Sequence, residues 1–303
     1  MIAFNEILCP VDFSEFSRRA LDHALSVARC YRSSVTALHV ISRMPVVVPN
    51  PYYFQTETPP PMMLPPMDRA AVAAQLHRLA EEERVPGVEV ESRVAEAPEV
   101  YREILLQAEQ LKSDLVVMGT HGRSGFERLF LGSTAEKVLR KAGCPVMTVP
   151  PKAPDSMARG PVPFTQILCA VDFSDSSKIA LDYAMSLARE SHAALALVHV
   201  IETRPLYYDF MPPTAIDLTA WIEEARTGLR QMVPDGVRSS CAVTEVVREG
   251  TPYREIVALA TELDSDLIVL GVRGRGTADL FFFGSTTHHV IREAGCAVLT
   301  LRG

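Results

Sequence analysis

Two sets of glycines recur with one spacing, Gly119-x2-Gly122-x9-Gly132-Ser133 and Gly271-x2-Gly274-x9-Gly284-Ser285, each directly after an apolar run that reads as a strand. Glycine takes positive φ and lets main-chain N–H groups approach a ligand. A glycine-bracketed loop that ends at a helix start can therefore cradle a phosphate. N–H groups around Gly122, Gly132 and Ser133 would point at phosphate oxygens, helped by the helix dipole and the hydroxyls of Ser133 and Thr134. Gly274, Gly284, Ser285 and Thr286 form the second set. Neither loop has the spacing of a P-loop or of the Gly-x-Gly-x2-Gly dinucleotide fingerprint. Ser133-Thr-Ala-Glu136 also fits a capping box, which needs no ligand. His288 stands where Glu136 does, so capping alone does not account for the second Gly-Ser pair.

Asp12 and Asp172 each follow an apolar run, where a carboxylate at a strand end offers acceptors to a base or ribose. The same carboxylate can cap the helix that follows, and the two roles are compatible. Val40 and Val200, beside the paired His39 and His199, can offer backbone groups to a purine, while the histidines themselves read as structural. Asp12, His121 and Ser133 are the ingredients of a hydrolase triad, but Ser133 lacks the Gly-x-Ser-x-Gly elbow and Arg273 replaces His121 in the second copy. No residue is assigned as catalytic. His288 and His289 are adjacent on one helix and so diverge, unlike the i, i+4 pair that metal binding favours, and no metal site is assigned.

The elements that must position these residues also come in duplicate. Ile7-Leu-Cys-Pro-Val-Asp12-Phe-Ser14 aligns with Ile167-Leu-Cys-Ala-Val-Asp172-Phe-Ser174 at an offset of 160, whereas the glycine sets are offset by 152. The second copy is thus eight residues shorter in between. The expected division is a first domain over 1–152, a Pro-rich linker over 153–163 and a second domain over 164–303. Within each copy, short β-rich runs alternate with helical periodicity, the pattern of a parallel sheet covered by helices. In the first copy the strands are expected near 5–11, 34–41, 88–94, 114–119 and 145–149. The first helix opens at Ser14 as N-cap, with Phe16, Ala20, Ala24 and Val27 along one face. Its counterpart opens at Ser174 with Ile179, Tyr183 and Leu187 inward, and Gly143 and Gly295 are placed as helix C-caps. Such sheets bind ligands beyond the carboxyl ends of strands where the winding reverses. If strands one and four are neighbours, Asp12 and Gly119 meet at one crevice.

The chain has 303 residues, is 48% hydrophobic and carries a formal charge of −7, which supplies no general field for a polyphosphate backbone. Nucleic acid is not an expected partner, despite Arg273 and Arg275. Six scattered cysteines without a CxxC pair point to a reducing cytoplasm and to packing roles. No apolar run approaches the ~18 to 20 residues that span a bilayer, so no membrane role is expected. Met44 to Met67 holds eight prolines with Tyr52, Tyr53 and Phe54, and Tyr207 to Pro213 is a reduced version. These segments read as insertions packed on their own domain, as lids, or as assembly contacts. Leu129-Phe-Leu131 and Leu280-Phe-Phe-Phe283 read as packing onto the neighbouring domain.

With Val-Asp-x-Ser after strand one, Gly-x2-Gly-x9-Gly-Ser after strand four and Gly-Cys-Pro-Val-Met-Thr-Val at the end, each half resembles the universal stress protein family. The resemblance implies two tandem Rossmann-like α/β domains, each a five-stranded parallel sheet sandwiched by helices. It further implies ATP, with adenine and ribose contacts on Asp12, Val40 and Gly119 and phosphate contacts on Gly122, Gly132, Ser133 and Thr134. In the second copy these become Asp172, Val200, Gly271, Gly274, Gly284, Ser285 and Thr286. That copy departs at Arg273 and at Leu280, which replaces Arg128, whereas its Gly250-Thr-Pro252 is family-like where the first has Pro98-Glu-Val100. The resemblance also implies that the final strands pair across the domains and that the chain forms a homo-oligomer. The expected protein is a nucleotide-dependent stress-response module binding ATP with Mg²⁺, without efficient turnover. Slow ATP hydrolysis, with water oriented by Asp12 or His121, and a nucleotide-independent protein-binding scaffold are the alternatives.

Overall fold

The computed structural model describes residue 2 and residues 4–42, 68–122, 131–153, 162–202, 218–272 and 284–302. The first half runs β1 (Glu6–Pro10), α1 (Glu15–Tyr31), β2 (Ser34–Ser42), α2 (Arg69–Glu82), β3 (Glu89–Ala97), α3 (Val100–Gln110), β4 (Leu115–Gly119), α4 (Ser133–Lys141) and β5 (Val146–Val149). The second runs β6 (Gln166–Ala170), α5 (Asp175–Ser191), β7 (Ala194–Ile201), α6 (Leu218–Met232), α7 (Asp235–Arg238), β8 (Val243–Glu249), α8 (Pro252–Glu262), β9 (Leu267–Gly271), α9 (Ser285–Glu293) and β10 (Ala297–Leu301).

The strands are apolar on both sides because helices cover both faces of the sheet. In β1, Ile7 and Cys9 enter one core cluster while Leu8 enters the other. The α1 helix starts where Ser14 Oγ accepts from Ser17 N at 3.2 Å. Its buried stripe includes Ala20, Ala24 and Val27, but Phe16 is only half-buried because it turns toward His121, with ring centroids 5.8 Å apart. In α5 the inward stripe is Ala180, Leu181, Ala184, Leu187 and Ala188, with Ile179 and Tyr183 at its half-buried margin. The placement of Gly143 and Gly295 as C-caps is corrected. The C-cap residues are Ala142 (φ −58, ψ 136) after α4 and Ala294 (φ −59, ψ 141) after α9, both extended, and neither Gly143 nor Gly295 has a positive φ.

The strand order is β3-β2-β1-β4-β5-β10-β9-β6-β7-β8 in one ten-stranded sheet. Pairing is parallel within each half, and β1 lies between β2 and β4. The winding direction therefore reverses between β1 and β4, and again between β6 and β9 in the second half. The halves meet at β5 and β10, which are antiparallel, with Met147 opposite Leu299, Thr148 opposite Val298 and Val146 opposite Thr300. Thr148 Oγ1 donates to Val298 O at 3.3 Å and Thr300 Oγ1 to Val146 O at 3.0 Å, a reciprocal pair across the seam. Both core clusters continue across it. Arg19 Nη1 holds the chain leaving β5, donating to Pro151 O at 2.8 Å and Ala153 O at 3.2 Å.

All six cysteines are free thiols. Burial raises the pKa of Cys9 and Cys169, and lifts those of Cys144 and Cys296 to about 11 and about 12, which keeps these four protonated. Among the described residues no helix is long and apolar enough to cross a membrane.

Candidate functional site: the crevice between strands one and four

β1 stops at Pro10, and the next residues fold into a tight turn. Asp12 Oδ1 accepts from Ser14 N at 3.0 Å and from Ser14 Oγ at 2.5 Å, while Phe13 sits in the left-handed region at φ 65°. A left-handed Phe is costly and needs fixing from outside. The Phe13 ring packs on His39 at 4.6 Å, and His39 Nδ1 donates to Val11 O at 2.7 Å. The second half repeats every part. Asp172 Oδ1 takes Ser174 N at 3.0 Å and Ser174 Oγ at 2.5 Å, Phe173 has φ 62°, and His199 Nδ1 reaches Val171 O at 2.8 Å. His39 and His199 are thus turn-locking residues. The aspartates use one oxygen to orient the helix cap, as one of the two compatible roles required.

Val40 lies on the stretch of β2 that outruns β1. Leu38 O faces β1 and accepts from Val11 N at 2.8 Å. Main-chain groups two residues apart on a strand face the same neighbour, so those of Val40 point to the space beyond Pro10. Val200 is placed in the same way, because Val171 N donates to Val198 O at 2.8 Å.

β4 ends at Gly119, packed so closely on α1 that a Cβ there would lie 3.1 Å from Phe16 O. Three residues on, a Cβ on Gly122 would lie 2.8 Å from Asp12 Oδ2. Asp12 and the glycine loop therefore do share one crevice, and Gly122 is a glycine because the carboxylate occupies the space of a side chain. Gly132 closes the loop, donating from its N–H to Thr120 O at 2.8 Å. That amide is engaged within the loop, which leaves the first-turn amides that follow it as the nearer donors to the crevice. The same holds for Gly284, whose N–H reaches Val272 O at 3.2 Å.

Gly132 is the N-cap of α4, with no side-chain cap, and Ser133, Thr134 and Ala135 occupy its first three positions. The capping box does not form. Ser133 lies one residue too far along, and Glu136 pairs instead with Arg140 at 2.8 Å. α9 likewise begins after Gly284 with no side-chain cap. Each loop thus ends at a helix start where first-turn N–H groups and the positive end of the dipole lie together.

His121 adjoins the crevice. Its Nδ1 meets Thr120 Oγ1 at 2.9 Å, Nε2 is buried without a hydrogen-bond partner, and burial lowers its pKa, favouring the neutral ring. Neither ring nitrogen bonds Asp12 or Ser133, so no relay runs through the three. The His288 and His289 rings meet edge to face, with centroids 5.9 Å and planes 85° apart, and His289 stacks on Tyr253 at 4.4 Å. No cluster of three or more His, Cys, Asp or Glu suited to a metal occurs among the described residues. Gly274, Arg128, Arg273, Arg275, Leu129, Phe130, Leu280 to Phe283 and the Tyr/Pro segments lie outside the described residues.

Two features escaped the sequence reading. One is the left-handed Phe, signalled only by the exact repetition of Asp-Phe-Ser. The other is a cavity of about 610 Å³ beside the second crevice, lined by Phe173, His199, Val200, Glu202 and Trp221.

Fold and crevice define a tandem doubly wound α/β protein with a topological switch point in each half. The description "Universal stress protein family" matches residues 3–150 and 163–302, and the chain belongs to that family. A universal stress protein of Methanocaldococcus jannaschii is 33% identical over 147 residues, covering 48% of this chain and 82% of its own length. One from Mycobacterium bovis is 25% identical over 294 residues, covering 94% of this chain and 95% of its own length. The fold also matches a crystal structure of a putative universal stress protein from Pseudomonas aeruginosa, with TM-score 0.68 at 20% identity over 99% of this chain and 94% of the other.

Proposed function

We propose that the chain binds ATP at its two switch-point crevices and uses occupancy to bias its conformation or its partners. The observation that carries this reading is the convergence of Asp12, Gly122 and the α4 start, which has no side-chain cap, in one crevice. Asp12 Oδ2 and the Val40 main chain would take ribose and base, with Gly119 leaving room. The first-turn amides and hydroxyls of Ser133 and Thr134 would take phosphates, with Gly122 and Gly132 shaping the loop. Asp172, Val200, Gly271, Gly274, Gly284, Ser285 and Thr286 do the same in the second half. Mg²⁺ would accompany the phosphates and neutralise part of their charge. Domains at 1–152 and 164–303, a cytoplasmic setting and the absence of efficient turnover belong to the same reading.

Denaturing the purified protein should release adenine nucleotide, and Gly122→Val with Gly274→Val should abolish it. No binding at millimolar ATP would remove the proposal. Slow hydrolysis is a second reading, favoured by the neutral His121 with its unpartnered Nε2. Phosphate release that persists unchanged in His121→Ala would eliminate that role.

A further inference from the structure

The helices α3 and α4 border a groove of about 710 Å³ whose walls include Tyr101, Arg102, Leu106, Lys112 and Lys141. Lys137 Nζ and Lys141 Nζ stand 4.8 and 5.3 Å from the centre of the Tyr101 ring. Leu106 is 45% exposed, which puts an apolar knob in the middle of a basic wall. At the glycine-set offset of 152, the second half carries Tyr253, Arg254, Ala258, Asp264 and Glu293 at the same places. Two lysines are replaced by two carboxylates, and all four of these side chains belong to exposed residues. Nearby charges do not cancel the inversion. Arg102 is paired with Glu99 and Glu262 with Arg248; Glu109 on the basic face, which becomes Thr261, and Arg254 on the acidic one reduce the inversion, but Lys137 adds to the basic face where the other half has His289. His289 Nδ1 lies 3.6 Å from Glu293.

The placement of these two faces restricts what can cover them. α3, α4, α8 and α9 all pack on one core cluster, so both faces look out from the same side of the sheet. Met147 and Leu299 pair at the seam and bury together on the other side, so the pseudo-twofold that relates the halves stands perpendicular to the sheet. A second molecule stacked on this side with twofold symmetry has two choices. First half on first half sets Lys112 and Lys141 against their own copies. First half on second half sets them against Asp264 and Glu293, and does so twice in one closed contact. Two chains of formal charge −7 repel overall, so a local match of this kind decides the orientation.

We propose that the α3/α4 face is a docking surface for a second copy of this chain, the basic first half of each molecule seated on the acidic second half of the other. The full-length protein should sediment as a dimer that dissociates as salt is raised. Lys112→Glu with Lys141→Glu should weaken it at least about tenfold, and Asp264→Lys with Glu293→Lys should do the same. Mixed in equal amounts, the two variants should pair with each other, and all four substitutions in one chain should restore the dimer. The mixing arm also shows that both variants are folded. A monomer at the highest soluble concentration, a dimer indifferent to both reversals, or a failure of the mixture to pair would each overturn the proposal. So would reversals that abolish only capture of a poly-glutamate probe, since an acidic peptide would then be the occupant. None of these readouts involves nucleotide.

Discussion

At the end of the first strand the two halves share the aspartate turn, and at the end of the fourth they part. Asp12 and Asp172 hold the same two contacts at 3.0 and 2.5 Å, each beside a left-handed Phe packed on a His. Gly119 leaves 3.1 Å between a built Cβ and Phe16 O, whereas at Gly271 the Ser176 carbonyl carbon stands only 2.7 Å away. Thr120 and His121 border the first crevice, where the second has Val272 and Arg273. Thr287 Oγ1 donates to Gly271 O at 3.2 Å, while Ala135 at the matching place has no hydroxyl to do so. The carboxylate turn is a fixed frame, and the strand-four side is where the halves can differ in what they hold.

The sharpest way to break this comparison is to close one crevice at a time. Gly122→Val puts a branched side chain where Asp12 Oδ2 now lies and should cost about 3 kcal/mol of ATP affinity at the first site, roughly a hundredfold. Titration calorimetry should then report only the second site, and unchanged stoichiometry and affinity would show that the first crevice is not used. Next in size is the strand-four packing. Gly271→Ala should destabilise the fold by ~2 to 3 kcal/mol and Gly119→Ala by about 1 kcal/mol, because a Cβ would come within 2.7 Å of backbone at the former and only within 3.1 Å at the latter. Urea unfolding with equal losses would erase the distinction. The shared frame makes the opposite prediction. Ser14→Ala and Ser174→Ala should each cost about 1 kcal/mol, since both caps accept at 3.2 Å. A twofold disparity in their urea midpoints would contradict that equality.

The smallest effect concerns pH. Burial holds the His121 pKa below its ordinary value, so the fold favours the neutral ring. The associated stability is complete above about pH 6.5, the unfolded value, and is lost as pH falls through the depressed folded one. His121→Gln should make the acid-side decline in urea midpoint shallower without removing it. His288 in the second half is also lowered, first by burial and then by Arg292.

Periodicity and duplication made most of the fold legible. Ser14 and Ser174 cap their helices as read, and the first-half strands lie within three residues of their expected ends. Details set by distant backbone were not legible. The α4 start moves back to Gly132 because that residue is tied to Thr120 O, twelve positions earlier, and the capping box is lost with it. Gly143 matched a C-cap pattern, but the short path into β5 imposes extended backbone on Ala142. At the site, the meeting of Asp12 with Gly122 depended on β1 and β4 being neighbours, which hydrophobic pattern alone does not specify.

Joining the halves in one polypeptide has a consequence at the seam. Glu136 on α4 is near enough to His288 on α9 to strengthen that imidazole's hold on its proton. The two occupy matching positions, so an assembly of identical units would have to place glutamate on glutamate or histidine on histidine there. Fusion removes that obligation, and a carboxylate can stand near an imidazole across the seam.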